Sequence, residues 1–191
     1  MSTEINELKT LNNQSANYKG IVKVSIVNGQ NKTISTNTYY NNGTNNLFNF
    51  IANCIAGNYI NHEKYRPCKI ALYKAGTSGE SNIKSACRVS NFIFQDGAAK
   101  VKNINSEITS GCEVIYHFRI PFVQLTSGAN VVSAALWPSI FSENNNEYSA
   151  IVNFNPEIEI PANVSTNWTI IVDWTLQISN VPSSTSTTPT V

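Results

Sequence analysis

Strict alternation of apolar and polar residues in two long segments constrains the fold more than any other feature of this chain. In residues 112–122 and again in residues 168–178, every second side chain is apolar, and most of those between them are polar. This period of two is that of a half-buried β-strand, whose successive side chains point to opposite faces. The predicted core positions on the two strands are Val114, Tyr116, Phe118, Ile120, Ile170, Val172, Trp174 and Leu176.

Shorter strand-like segments, separated by turn signals such as Asn28-Gly29 and Asp96-Gly97, fill most of the remaining chain. The further predicted strands are residues 20–26, 33–40, 66–72, 86–95, 98–105, 131–137, 149–154 and 157–160. We expect residues 98–105 to be the hairpin partner of residues 86–95. About nine or ten short strands without βαβ alternation predict an all-β chain with one helix, folded as an antiparallel, jelly-roll-like β-sandwich.

One amphipathic helix is predicted near residues 44–56. Thr44 is a suitable N-cap residue, and Gly57 is a suitable glycine beyond the C-terminus. The apolar stripe of this helix consists of Leu47, Phe48, Ile51, Cys54 and Ile55. We expect this stripe to pack on the sheet of its own chain, and a partner-binding helix is the alternative.

The sequence divides into a β-sandwich domain over residues 18–179 and two flanking segments. Residues 1–17 are predicted to be an N-terminal arm with a short helical turn over residues 4–11, and residues 180–191 a Ser/Thr/Pro-rich tail. Such arms become ordered by lying on neighbouring molecules. The candidate interface residues of the arms are Glu4, Ile5, Leu8, Leu11, Val181, Pro182 and Pro189.

Composition and charge argue against several classes of partner. The formal net charge is +1 and no run of Lys and Arg occurs, so the sequence lacks the basic footprint of a nucleic-acid-binding protein. The apolar runs are shorter than the roughly 20 residues of a membrane span. The first residues lack the basic and apolar regions of a secretory signal, so we expect synthesis in the cytosol.

The four cysteines, Cys54, Cys68, Cys87 and Cys112, show neither CxxC spacing nor another pattern of zinc ligands. Three of them lie on the apolar faces of predicted elements. We therefore interpret them as buried free thiols, and we predict no metal site and no cofactor.

No catalytic constellation stands out, and we predict that the protein is not an enzyme. His117, flanked in phase by Glu113 and Arg119, would suit a general base, but a solvated strand face explains it as well. Glu157 and Glu159 form a carboxylate pair on a predicted strand, where charges also discourage unwanted strand pairing. A Ser/His/Asp triad built from distant positions would leave no local signature, and the chain contains no G-x-S-x-G motif.

Aromatic side chains on a β surface suggest sugar binding by stacking as an alternative function. The candidates are Tyr39, Tyr40, Tyr59, Tyr65 and Tyr73. Packing in the core or at an interface is the more frequent role of such residues.

Two stretches carry a resemblance to a known group of proteins. In the first, a hairpin that begins Val22-Lys23-Val24 leads to Asn42-Gly43-Thr44 and the helix that contains Leu47-Phe48. The second comprises Ser133-Ala134-Ala135-Leu136-Trp137 and the late strand Ile170-Ile171-Val172-Asp173-Trp174-Thr175. Together they resemble the neck, collar, ring and tail-attachment β-sandwich proteins in virions of tailed bacteriophages, including those of crAss-like phages.

The resemblance implies a non-enzymatic virion protein that is made in the cytoplasm of a bacterial host. It implies assembly into a ring or cluster in the head–tail connector, neck, collar or tail region, with portal, ring or tail components as partners. Ala134 and Ala135 stand where many relatives carry an acidic residue, so no role of that carboxylate transfers to this chain. The alternatives are a capsid decoration or fibre-anchoring protein and a carbohydrate- or receptor-binding module.

Overall fold

Antiparallel β-strands dominate the regular structure of the chain. The computed structural model describes residues 14–57, 66–75, 87–105, 110–125, 130–139, 148–160 and 167–182. The strands are β1 (Gln14–Val27), β2 (Thr33–Gly43), β3 (Pro67–Tyr73), β4 (Ile93–Phe94), β5 (Lys100–Asn105), β6 (Ser110–Pro121), β7 (Val131–Pro138), β8 (Ala150–Ile158) and β9 (Thr169–Pro182). An α-helix, α1 (Asn45–Ile55), follows β2, and a 3-10 turn (Phe122–Gln124) follows β6.

The strands form two antiparallel sheets that share β2. The first sheet has the order β2-β1-β9-β6-β5, and the second has the order β4-β3-β7-β8-β2. Thr33 and residues 35–41 of β2 pair with β1, whereas Asn42 and Gly43 pair with Ile151 and Ala150 of β8. For the residues that the structure describes, the prediction of a mostly-β, antiparallel sandwich with one helix is therefore confirmed.

The two alternating segments face the core as predicted. Seven of their eight predicted core residues are buried, and Val114 is half-buried and packed against the same cluster. Val22 and Val24 of β1 join this cluster from the first sheet, and Ile70, Leu72 and Leu136 join it from the second. The polar residues between the core positions lie on the outer face of the first sheet, which is what the period of two predicts.

The central strands of the second sheet are buried on both faces, which the sequence pattern did not predict. Every residue of β3 is buried, including Lys69, which alternates with the apolar residues Cys68 and Ile70 and is only 8% exposed. Tyr73 and Trp137 form a second apolar cluster there, and Phe92 and Tyr148 pack against it. Lys69 is accommodated because its ammonium group lies 4.5 Å from the Phe92 ring centroid and donates to the Ser139 carbonyl oxygen.

Three strand predictions are corrected by the pairing. Of the predicted strand 86–95, only residues 93–94 form a strand, β4. Before them, Arg88 and Ser90 form isolated β-bridges with Tyr73 and Leu125. Residues 100–105 pair with β6 and not with residues 86–95, because the chain crosses between sheets at the turn around Gly97. The two predicted strands 149–154 and 157–160 are one strand, β8, which contains the cis peptide bond before Pro156.

The domain is longer than its predicted bounds of residues 18–179. Gln14 pairs with Pro182 and Ser15 with Val181, so part of each predicted arm belongs to the first sheet of the same chain. Val181 and Pro182 are thus strand residues and not tail residues. The other candidate arm residues, Glu4, Ile5, Leu8, Leu11 and Pro189, lie outside the described residues.

All four thiols are free, but the prediction that they are buried holds only for Cys68. Cys54 is exposed, and Cys87 and Cys112 are half-buried. No helix within the described ranges is long and apolar enough to cross a membrane.

Candidate interaction surface

The longest unpaired strand edge in the described structure is that of residues 33–40 in β2, here called the β2 edge. On one side these residues pair with β1, from Thr33 opposite Val27 to Tyr40 opposite Ile21. On the other side, β2 pairs within the described chain only through Asn42 and Gly43. The outward backbone N–H and C=O groups of the β2 edge therefore have no strand partner among the described residues.

The composition of the β2 edge does not protect it from pairing. Residues 33–40 read Thr-Ile-Ser-Thr-Asn-Thr-Tyr-Tyr, a sequence that contains neither charge nor proline and favours the strand conformation. One irregularity occurs at the start, where the register with β1 shifts between Ile26 and Val27. Beyond it, residues 35–41 continue in regular register.

The edges formed by β5, β4 and β8 carry features that discourage pairing. β5 has Lys100 and Lys102, and the latter forms an ion pair with Glu113 at 3.3 Å. β4 contains only two residues, and β8 contains Pro156 and the exposed Glu157. Lysine, proline and shortness are the devices by which soluble β proteins blunt their edges. The β2 edge differs from these three edges because its regular part has none of these features.

Exposed apolar side chains lie along the same edge. Tyr40 is 66% exposed on the outer face of the first sheet, and Ile34, at the irregular end, is 50% exposed. Between them Thr36 and Thr38 are exposed, and the Thr36 hydroxyl lies 3.0 Å from that of Ser25 on β1. The Lys19 ammonium group lies 5.1 Å from the Tyr40 ring centroid.

The inner face of β2 holds the edge in place. Tyr39 is buried opposite Val22, and its ring lies 4.7 Å from that of Phe154 on β8. The Tyr39 hydroxyl donates a hydrogen bond to the Pro156 carbonyl oxygen at 3.0 Å. Because Tyr39 links the two sheets, the β2 edge is part of the sandwich and not a loose ribbon.

Helix α1 follows the β2 edge and packs less completely than predicted. Leu47 is its only buried residue; Phe50 and Ile51 are partly buried against the core. Phe48 is 46% exposed with its ring 5.7 Å from that of Tyr18, and Ile55 is 83% exposed. The prediction that the whole stripe packs on the sheet is therefore wrong for Cys54 and Ile55, since burial decreases toward the C-terminus of the helix.

Burial decreases along α1 because hydrogen bonds to the rest of the chain hold the helix at its N-terminus. Thr44 occupies the predicted N-cap position, but its side chain makes no capping hydrogen bond. Its hydroxyl instead lies 2.7 Å from the Tyr148 carbonyl oxygen and 2.8 Å from that of Ser149. The Thr44 backbone N–H also donates a hydrogen bond to the Ser149 carbonyl oxygen. These bonds fix the first turn of α1 beside β8. The helix ends before Gly57, whose φ of 69° fits the predicted glycine stop.

His117 has a carboxylate partner that sequence reasoning did not identify. Its Nδ1 lies 2.6 Å from Oδ1 of Asp173, which is directly opposite on β9. Both side chains are about one-third exposed, in a depression of about 280 Å³ that Asp96, Ala98, Lys100 and Ile115 also line. No hydroxyl or thiol side chain of the described residues lines it. The geometry is that of a cross-strand pair on a solvated sheet face.

The remaining site candidates do not converge on one place. Glu157 accepts a hydrogen bond from the Asn130 side chain at 3.1 Å, and Glu159 lies beyond the end of β8. The described residues contain no cluster of three or more potential metal ligands. Of the tyrosines considered for sugar stacking, Tyr39 and Tyr73 are buried, and Tyr40 is exposed. Tyr59 and Tyr65 lie outside the described residues.

No protein family model, curated protein or solved structure matches this chain. The residues of the chain itself are therefore the basis for a function. Among the surfaces that the described ranges contain, the β2 edge combines unpaired backbone groups, apolar exposure and a rigid support. This combination is typical of a surface that accepts another β-strand.

Proposed function

We propose that the protein is a non-enzymatic structural subunit of a tailed-bacteriophage virion, which assembles with copies of itself into a ring or cluster in the neck, collar or tail-attachment region. The observation that carries this proposal is the unprotected β2 edge. A long uncharged edge is a liability for a protein that works alone, because it invites pairing with other chains. For a subunit that works in an assembly, the same edge serves as an interface.

The assignment to a virion rests on the resemblance of two sequence stretches. In the fold, these stretches supply the hairpin β1–β2, the helix α1 and the strands β7 and β9. Trp137 and Trp174, which both lie in the resembling stretches, are fully buried. The resemblance therefore concerns residues that determine the fold, and the proposal adds assembly to it through the exposed edge.

Energetics favour an assembly with several contacts per subunit. A strand pair of this length adds several hydrogen bonds, each of which contributes about 0.5–1.5 kcal/mol net. Association costs roughly 4–15 kcal/mol in lost translational and rotational freedom. One edge alone thus gives weak association, whereas a subunit held by two or more neighbours gains from high effective concentration. Portal, ring or tail proteins are the proposed further neighbours.

Light scattering of the purified protein over a concentration series tests the proposal. We expect the mass to rise with concentration toward a discrete oligomer, and electron microscopy of that oligomer to show a ring or compact cluster. A monomer at every concentration, with no ring or cluster on micrographs, would contradict self-assembly. A capsid decoration or fibre-anchoring role would be distinguished by where the subunit binds on purified particles.

A further inference from the structure

We propose that the β2 edge pairs antiparallel with the β2 edge of a second copy, about a two-fold axis that passes through Asn37. This inference rests on the proposed function because both require self-association. It goes further by naming the surface, the partner strand and the register.

The alternation of side chains restricts the possible registers. A two-fold axis perpendicular to the sheet keeps the outer faces of both copies on one side, so outer residues must lie opposite outer residues. Thr36, Thr38 and Tyr40 are outer residues, because they pair with Ser25, Lys23 and Ile21 on the solvated face. The axis must therefore pass through a residue and not between two residues.

An axis at Asn37 gives favourable side-chain pairs. Thr36 then lies opposite Thr38 of the partner subunit, and the exposed Ile34 lies opposite the exposed Tyr40 of the partner subunit. Threonine pairs and pairs of an aromatic with a β-branched residue both stabilise antiparallel strands. By symmetry each pair occurs twice. An axis at Thr38 would place Tyr40 opposite Thr36 of the partner subunit and leave Ile34 without an apolar neighbour.

The β2 edge is also more complementary to a second β2 edge than to the edges of β5, β4 or β8. Pairing with β5 would place Lys100 and Lys102 beside an uncharged strand, and Lys102 already has Glu113 as its partner. β4 is too short to cover the edge, and Pro156 interrupts the donors of β8. Pairing of two β2 edges continues the strands β5-β6-β9-β1-β2 of one copy into the same five strands of the other.

A two-fold contact of this kind closes on itself and gives a dimer. A ring built from these dimers needs a second, different contact. Disruption of the β2 edge should therefore reduce a larger assembly to smaller species and not merely change its shape.

Two double variants test the edge and its register together. In Thr36→Glu/Thr38→Glu, glutamates of the two copies lie opposite each other at both Thr36–Thr38 pairs, and we expect self-association to weaken at least tenfold. In Thr36→Lys/Thr38→Glu, lysine lies opposite glutamate in the proposed register, and we expect the dissociation constant to stay within a few-fold of wild type. Sedimentation velocity over a concentration series measures both constants.

The two variants lose the same side-chain contact within their own subunit and carry the same substitution at position 38. Both lose the hydroxyl contact between Thr36 and Ser25, and both carry the same Thr38→Glu substitution opposite Lys23 of the same chain. Circular dichroism and thermal unfolding at low concentration should show that both variants fold alike.

Each outcome has one meaning. Weakening in the Glu/Glu variant with recovery in the Lys/Glu variant supports the pairing and its register. Equal weakening in both variants overturns the register, and no change in either overturns the use of the β2 edge while leaving self-assembly intact. A wild-type protein that is monomeric throughout the series overturns the proposed function as well.

Discussion

Replacement of Leu47 by alanine tests how helix α1 is attached to the sandwich. Leu47 is 1% exposed and is the only buried residue of the helix, and it packs into the main core. Ile55 occupies the same apolar stripe but is 83% exposed. The two substitutions remove comparable side chains from one helix, so the difference between them reports burial.

The magnitude follows from that difference in burial. Removal of a fully buried leucine side chain costs about 2–5 kcal/mol, because transfer free energy is lost and a cavity remains. Phe50 and Ile51 are only partly buried beside this site, so some collapse into the cavity is possible, and we expect about 2–3 kcal/mol for Leu47→Ala. Ile55→Ala should change the free energy of unfolding by no more than about 0.5 kcal/mol.

Urea unfolding followed by circular dichroism and tryptophan fluorescence measures both variants. Measurement at low protein concentration keeps self-association from adding to the apparent stability. Equal losses in the two variants would refute the reasoning, since they would mean that the C-terminal half of α1 is packed as firmly as its first turn.

Three further predictions concern the core and the outer face of the first sheet. Burial raises the pKa of Tyr116 to about 12 from its usual 10.0, so the folded state keeps a proton that the unfolded state releases. The free energy of unfolding should therefore fall by up to about 3 kcal/mol between pH 10 and pH 12. In Tyr116→Phe, urea titrations should show a smaller fall over this range. An unchanged dependence of the unfolding free energy on pH in this variant would contradict the prediction. Trp137→Phe should cost about 1 kcal/mol more in unfolding free energy than Trp174→Phe. The reason is that the Trp137 indole donates to the Tyr73 hydroxyl at 3.0 Å, whereas the buried Trp174 indole has no hydrogen-bond partner among the described residues. Equal losses in urea unfolding would argue against this prediction. His117→Ala should cost at most about 1 kcal/mol in thermal unfolding at pH 7, as expected for a cross-strand pair that is about one-third exposed, and a much larger loss would indicate another role.

The sequence predicted those parts of the fold that follow from local patterns. The alternation in β6 and β9 identified core residues, since a strand with one solvated face shows its burial in its period. The Asn28-Gly29 turn also formed as predicted, and the Asn28 side chain accepts hydrogen bonds from the backbone N–H groups of Gln30 and Lys32. Both features depend on residues that are near one another in the chain.

Features of the fold that depend on contacts between residues far apart in the sequence were predicted poorly. Lys69 and Ala71 alternate with apolar residues in β3, which is typical of a strand with one solvated face, but the Phe92 ring lies over the Lys69 ammonium group on that side. Asp173 was not recognised as the partner of His117, because the register of β6 with β9 is not visible in either strand alone.

The candidate surface illustrates the same limit. Residues 33–40 were predicted as the return strand of a hairpin, and nothing in their pattern says that the opposite side of that strand has no strand partner among the described residues. That fact depends on the backbone pairing of β8 with β2, which among the described residues involves only Asn42 and Gly43. An edge is a property of the whole sheet, whereas its protection by lysine or proline can be read in the sequence.

Amide hydrogen exchange at two protein concentrations tests most directly whether the β2 edge is the assembly surface. At a concentration where the protein is dissociated, the outward N–H groups of residues 33–40 should exchange rapidly, and at a concentration where it is assembled they should be protected. Residues 100–105 of β5 serve as the internal control and should exchange at the same rate in both samples. Protection of β5 with no change in β2, in a sample whose mass shows assembly, would contradict the account.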